Sequence, residues 1–320
     1  MTPPAGEGMT ARLRTLAAGM LAELAVPATG ATGRRHAALA QLARIEPVDL
    51  ARLAEAHADA LAIMAEAGCA PVPASTYGVW AASGPNASLH VDADRTLLTG
   101  LKPFCSGLQI VDRALVTALD SSDRQILVDV ALRDGPTIST QLDHWASPAL
   151  RDTNTGQVQF DGHPFTPDRV IGDPGFYLDR PGFWHGAMGP AACWAGGALG
   201  LVDAAEKLTG SDPHRLSHLG SMRSAAWTMQ AVLRQAGDEI DRHPTDGVAA
   251  QYRARAARHM IERLCTGVLD HFSRSLGPRP FVSDAAVAKR YADVHLYLRQ
   301  DHAERDLEHL GTLPPPPSHL

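Results

Sequence analysis

Residues 97–107 read LLTGLKPFCSG, the centre of a β-like island in a mostly helical sequence. Leu97 and Leu98 lead into a turn at Gly100, and residues 110–119 read as a buried strand. Phe104 and Ser106 stand two residues apart. Side chains on a strand alternate, so this spacing puts ring and hydroxyl on one face. Such a pair covers a flat ring and hydrogen-bonds its edge, a geometry that suits a flavin. On spacing alone, Phe104 also reads as a core strand aromatic and Ser106 as a turn residue.

Working outward, residues 71–175 are rich in Gly, Pro, Thr and Val with alternating apolar positions. Strand candidates are 77–81, 88–93, 97–99, 113–119, 125–131, 158–160 and 163–166, with Asp161-Gly162 as a hairpin turn between the last two. Upstream, residues 1–8 are a Pro/Gly-rich tail. Residues 9–26 read as a helix rather than a signal peptide, because Arg12, Arg14 and Glu23 interrupt the apolar run. A short helical stretch follows at 36–42. Asp49 then caps a helix with Leu50, Leu53, Ala54, His57, Leu61 and Met64 on one stripe, stopped by Gly68. After Pro181, residues 183–208, 214–241, 248–276 and 283–310 read as four long helices with short connections, an up-down bundle. The expected architecture is an α+β multi-part fold. It has a shortened N-terminal helical region (1–70), a middle β-barrel-like domain (71–180), a C-terminal four-helix bundle (181–311) and a proline-rich tail (312–320).

Bulk properties narrow the function. The net charge of −6 argues against a nucleic-acid partner. Arg253, Arg255, Arg258 and Arg263 read as a solvated helix face. The four cysteines, Cys69, Cys105, Cys193 and Cys265, form no CxxC pair, so a zinc site or disulfide framework is not expected, and a reducing, cytoplasmic compartment is. No apolar run reaches the ~18 residues of a membrane span.

The order of helices, β domain and bundle, together with four segments, resembles the acyl-CoA dehydrogenase family over about residues 45–310. LTGLKPFCSG resembles the family's Gly-x-Lys strand followed by Trp, an apolar residue and Ser/Thr. VQFDGHPFTPDRVIGDPG is similar to the segment that closes its β domain. AGGALGLV resembles the first bundle helix, and LGPRPFVSDAAVAKRYAD the turn and helix before the catalytic loop. The resemblance implies FAD, an acyl-CoA or acyl-carrier substrate, and packing into a homodimer or homotetramer. It implies an electron-transfer or flavin reductase partner. It places Phe104 where the family has the Trp that packs on the isoalloxazine, and Ser106 where it has the hydroxyl beside flavin N5. It places Asn86 at a flavin-contacting Ser, and Arg279 in the turn where it either pairs with a phosphate or sits on an exposed turn.

The departures fall on the chemistry. The family's dehydrogenases need a base for the α-proton of the thioester, commonly the Glu of a Y-E-G-T loop just after the R-D-A helix. Arg299 stands at that position, and arginine stays protonated. The alternative base position, on the first bundle helix, is Pro190, followed by Ala191. Trp80 replaces a flavin-contacting Thr. Glu304 and His302 are the remaining catalytic candidates, on one helix with Arg299. The same segment also reads as a charged surface helix. His185, at the start of the bundle, is a further candidate. Flavin monooxygenases similar to this family use a histidine in the C-terminal region, as His302 would be. The expected function is FAD-dependent oxidation of a CH–CH unit. The alternatives are a monooxygenase on the same scaffold and a family member that has lost its chemistry.

Overall fold

The computed structural model describes residues 5–84, 87–132, 135–142 and 145–314. Asn86 lies outside the described residues. Three helices come first: α1 (Ala5–Ala18), α2 (Thr32–Ile45) and α3 (Val48–Glu66). Eight strands follow: β1 (Tyr77–Trp80), β2 (Leu89–Val91), β3 (Leu97–Cys105), β4 (Arg113–Leu119), β5 (Gln125–Ala131), β6 (Ile138–Gln141), β7 (Gly156–Pro164) and β8 (Val170–Ile171). The chain closes with α4 (Phe176–Asp179), α5 (Pro181–Gly186), α6 (Met188–Leu208), α7 (Pro213–Arg242), α8 (Gly247–Leu276), α9 (Arg279–Ser283), α10 (Ala285–Tyr297) and α11 (Glu304–Thr312). This is the mixed α+β fold with a helical C-terminal region that the sequence pattern predicts. No helix among the described residues is long and apolar enough to cross a membrane.

Contacts divide the chain into two units. The first takes the described residues of Met1–Leu24, Leu53–Ser147 and Arg151–Phe183. The second takes those of Ala25–Arg52, Pro148–Leu150 and Trp184–Leu320. The break falls inside α3.

In the first unit the strands form one sheet in the order β6-β7-β3-β2-β4-β5-β8, with β1 parallel to β4. One sheet face buries Trp80, Leu98, Val116, Val128 and Phe160 together. The other packs Leu115 and Leu127 against Ile63 and Met64 of α3. The alternation along β4 and β5 is therefore apolar on both faces, as expected of a sheet covered twice.

Two turn assignments fail here. β3 runs straight through Gly100, whose φ is +128° and whose missing Cβ would lie 2.2 Å from the Ser88 carbonyl oxygen. Glycine is there to let the backbone before β2 approach, not to turn the chain. Asp161-Gly162 is likewise not a hairpin. Leu98 pairs with His163 and Gly100 with Phe160, so two residues of β7 oppose Thr99 alone. This is a β-bulge, and Gly162 takes the positive φ (+60°) it requires.

β4 is matched to β1 as far as Val116 and to β2 at Leu119. Between them, the buried Lys102 donates from Nζ to the Thr117 carbonyl oxygen (2.8 Å) and to Thr117 Oγ1 (2.7 Å). The lysine fills a gap in the ladder that no strand covers.

In the second unit α6 is the central helix. Its small residues let neighbours come close: a Cβ on Gly196 would lie 2.1 Å from the Ala40 carbonyl oxygen of α2. Asp212, Asp246 and Asp284 cap α7, α8 and α10 by accepting backbone N–H bonds. Arg290 donates to the Ala43 and Glu46 carbonyl oxygens, closing the C-terminal end of α2. The arginine face expected to be solvated is partly inside. Arg253 and Arg255 are buried, Arg253 on Glu239 (3.1 Å) and Arg255 on Asp306, with Arg255 also over the Trp184 ring. Their long stems and stacking guanidinium groups make arginines suitable wall residues when a carboxylate or ring is within reach.

The helix expected over 283–310 is broken. α10 ends at Tyr297, a 3-10 turn covers Leu298–Gln300, and Ala303 takes φ +45° before α11 begins. Arg299 and His302 therefore do not share a helical face. At the other end of the chain, the residues read as a tail are helical from Ala5 onward.

Candidate flavin site

The end of β3 departs from a regular strand. Lys102 pairs with Val158 and Cys105 with Gly156, so β3 carries one extra residue over this interval. Phe104 sits in that bulge with φ +55° and is 63% exposed, while its neighbour Cys105 is buried. Period-two alternation stops at the bulge, so the shared strand face expected for Phe104 and Ser106 does not exist. The bulge instead turns an aromatic ring outward at a strained, non-glycine position, as bulges at sites often do.

Ser106 lies just past the strand and is half-buried. Its Oγ is 2.7 Å from Thr155 Oγ1, and Thr155 Oγ1 is 2.8 Å from Thr153 Oγ1, a row of three hydroxyls. The Ser106 carbonyl oxygen accepts the Trp80 indole N–H at 2.9 Å. Trp80 is buried, so its ring belongs to the core and its one donor is committed. A cavity of about 210 Å³ adjoins, lined by Trp80, Leu108, Gln109, Ile138, Thr140 and Val158 among others. Burial pushes the Cys105 thiol well up and the Lys102 ammonium down to about 8. Cys105 is thus an inert core residue.

The residues fit one edge of an isoalloxazine. Phe104 offers an exposed ring for its face, and the half-buried Ser106, backed by the buried Thr155, offers a hydroxyl that can donate or accept. The cavity by itself, about 210 Å³, is below the ~300 Å³ usual for a ligand of that size.

The other predicted residues belong to the second unit. Arg299 donates from Nη2 to Glu262 Oε1 at 2.6 Å, and Glu262 also accepts from Thr266 Oγ1 at 2.8 Å. His302 is exposed in the link before α11, its Nδ1 3.7 Å from Asp306 Oδ2. Glu304 is exposed at the first position of α11. Arg279 opens the short α9 and is exposed. His185 is buried and its Nε2 lies 3.0 Å from the Pro244 carbonyl oxygen. Arg258 donates to the Ala187 carbonyl oxygen (2.6 Å) and lies over the Trp194 ring. No cluster of three or more His, Cys, Asp or Glu among the described residues is placed to hold a metal ion. The partners missed from sequence are Thr153, Thr155 and Glu262. Only the Thr153-Asn154-Thr155 run carried a local signal, as polar residues bracketing a tight turn.

No family model matches this chain, and no curated protein matches it in sequence. Solved structures do match in fold. TdsC, a dibenzothiophene monooxygenase from Paenibacillus sp. A11-2 solved with FMN and indole, is 17% identical with a TM-score of 0.75, covering 96% of this chain and 95% of its own. FkbI, for biosynthesis of the methoxymalonyl extender unit of Fk520, is 15% identical with a TM-score of 0.77, covering 97% and 96%. The methanesulfinate monooxygenase MsuC from Pseudomonas fluorescens is 16% identical with a TM-score of 0.70, covering 99% of both chains. The chain therefore has the acyl-CoA dehydrogenase-like fold over nearly its whole length.

Proposed function

We propose that this chain is a flavin-dependent oxidoreductase of the monooxygenase kind. It would take flavin already reduced by a partner reductase and transfer one oxygen atom of O2 to a small organic substrate. The second oxygen atom leaves as water, and reduced flavin supplies the two electrons. The observation that carries this reading is Arg299 bound to Glu262. Dehydrogenation of a thioester needs a carboxylate at that place to remove the α-proton, and a permanently charged guanidinium held by its own counter-ion cannot do so. Glu304 and His302 lie exposed at the start of α11, whereas proton abstraction from carbon works from a site that excludes water. Oxygen transfer from reduced flavin needs no such base.

Phe104 would stack on the flavin and Ser106, backed by Thr155, would hydrogen-bond its edge. Flavin would supply the electrons and the activated oxygen. The FMN in the TdsC structure and the lack of a match for the FAD phosphate ligands favour the mononucleotide over the FAD that the sequence resemblance implies.

The test is a spectrum. Purified protein should take up FMN, stay yellow when an acyl-CoA is added without air, bleach when a flavin reductase and NADH are added, and recover its colour in air. Anaerobic bleaching by the acyl-CoA would restore the dehydrogenase reading. Failure to bind either FMN or FAD would leave only the scaffold reading.

A further inference from the structure

α2, α6 and α7 line a cavity of about 200 Å³ that lies wholly within the second unit. It arises from side-chain size. Gly33 at the start of α2 touches Gly237 of α7, where an added Cβ would come 2.4 Å from the Gly33 Cα. His36 Nδ1 then lies 3.0 Å from the Leu233 carbonyl oxygen, so the two helices stay close. Next to these contacts α2 offers only Ala37 and Ala40, and close-packed helices leave a void where such short side chains stand. Ala40, Leu199 and Leu233 form a buried apolar floor. Polar side chains form the rim. Arg44 is already neutralised, its Nε 2.7 Å and its Nη2 2.6 Å from the two oxygens of Asp203. Gln41, Gln230 and Arg234 are exposed, and their side chains make no hydrogen bond or ion pair among the described residues. Arg234 is thus the uncompensated cation of the rim.

We propose that this cavity binds a small organic monocarboxylate, its ring or short branched chain on the floor and its carboxylate on Arg234. An apolar floor under a few converging polar groups is the lining that seats and orients such a molecule. The guanidinium fork matches a carboxylate in its own plane, as Arg44 does with Asp203 in the same wall. The two glutamine amides can donate to the lone pairs that the arginine leaves. Size limits the ligand. A cavity of about 150 Å³ takes benzene, so this one takes a single ring with its carboxylate. Charge limits it to one negative group. Asp203 already holds Arg44, and Asp238 stands at the Gly33 end, its Oδ1 3.7 Å from where a Cβ on Gly33 would lie. A phosphate monoester would bring a second negative charge to a rim with one unneutralised cation and these two carboxylates.

The probe is para-fluorobenzoate, titrated into the full chain and followed by fluorine NMR line broadening, with para-fluorobenzamide as its uncharged analogue. Arg234→Gln removes the cation and keeps a polar side chain. Ala37→Leu fills the cavity from an exposed helical position with a residue of nearly equal helix propensity, so far-UV circular dichroism should not change. The expected result is saturable binding with a Kd of about 1 mM or tighter, the range open to so small a ligand. Each substitution should weaken it by about tenfold or more, and the amide should bind the wild type at least about tenfold more weakly. A wild type that shows no saturation overturns the proposal. So does an affinity retained by either folded variant, which would place the probe elsewhere, and so does an amide that binds as well as the carboxylate.

Discussion

Arg299 holds Glu262 at 2.6 Å, from the 3-10 turn at which the last long helix breaks to the side of α8. Glu262 is mostly buried and Arg299 half exposed, so the pair anchors a surface turn to the wall of α8. Arg299→Glu should set two carboxylates against each other. A loss of about 1 kcal/mol is expected. It should not create thioester dehydrogenation. Denaturant melts and an anaerobic acyl-CoA titration check both statements, and an acyl-CoA-reducible variant would contradict the second.

The Tyr77 backbone N–H donates to His57 Nδ1 at 3.1 Å, tying β1 to α3. That nitrogen must stay unprotonated, and burial depresses the His57 pKa from 6.5 to about 4. Between those values the unfolded chain binds a proton that the folded chain refuses, so stability falls as pH drops from 6.5 towards 4. The full effect is about 3 kcal/mol. His36, also buried and depressed to about 4, acts in the same direction. His57→Gln should flatten the acid limb of stability against pH, and an unchanged slope would remove His57 as its source.

Lys102 predicts an alkaline effect of the same sign. Its folded pKa of about 8 lies below the ordinary 10.5. The folded protein releases the proton first, so stability should rise from pH 8 towards 10.5, by about 3 kcal/mol in total. Lys102→Met removes the buried charge but leaves the Thr117 carbonyl oxygen unpaired, a cost of about 1–3 kcal/mol. The two effects nearly cancel at pH 7. The diagnostic is the difference in slope between wild type and variant above pH 8, and parallel curves would refute the assignment.

If the β3 bulge carries the flavin, Ser106→Ala should weaken FMN binding about tenfold, the value of one hydrogen bond near the upper end of its range. Phe104→Ala should weaken it by a similar or larger factor through loss of stacking. Because Phe104 is exposed, its truncation should leave the melting temperature nearly unchanged. Equilibrium titration followed by flavin fluorescence measures both, and two unaltered affinities would move the site elsewhere.

The residues by themselves determined the order of the elements. Strands β4 and β5 were readable to the residue, because each is a short, nearly continuous apolar run rich in β-branched residues between clear turn signals. The starts expected at 214 and 248 fell within one residue of α7 and α8, because the punctuation that opens a helix is local, whereas the start of α10 after Asp284 was missed. Local pattern failed wherever a residue's role came from a distant backbone. Gly100 and Gly162 both look like turn residues, yet one admits the Ser88 carbonyl oxygen and the other absorbs a two-against-one mismatch with β3. The same mismatch at Lys102–Cys105 turned Phe104 outward and separated it from the face of Ser106. LLTGLKPFCSG pointed at a flavin only together with the three other segments of the resemblance. Which of its residues face outward was decided by pairing with β7, because register is a relation between two strands and cannot be written in either one alone.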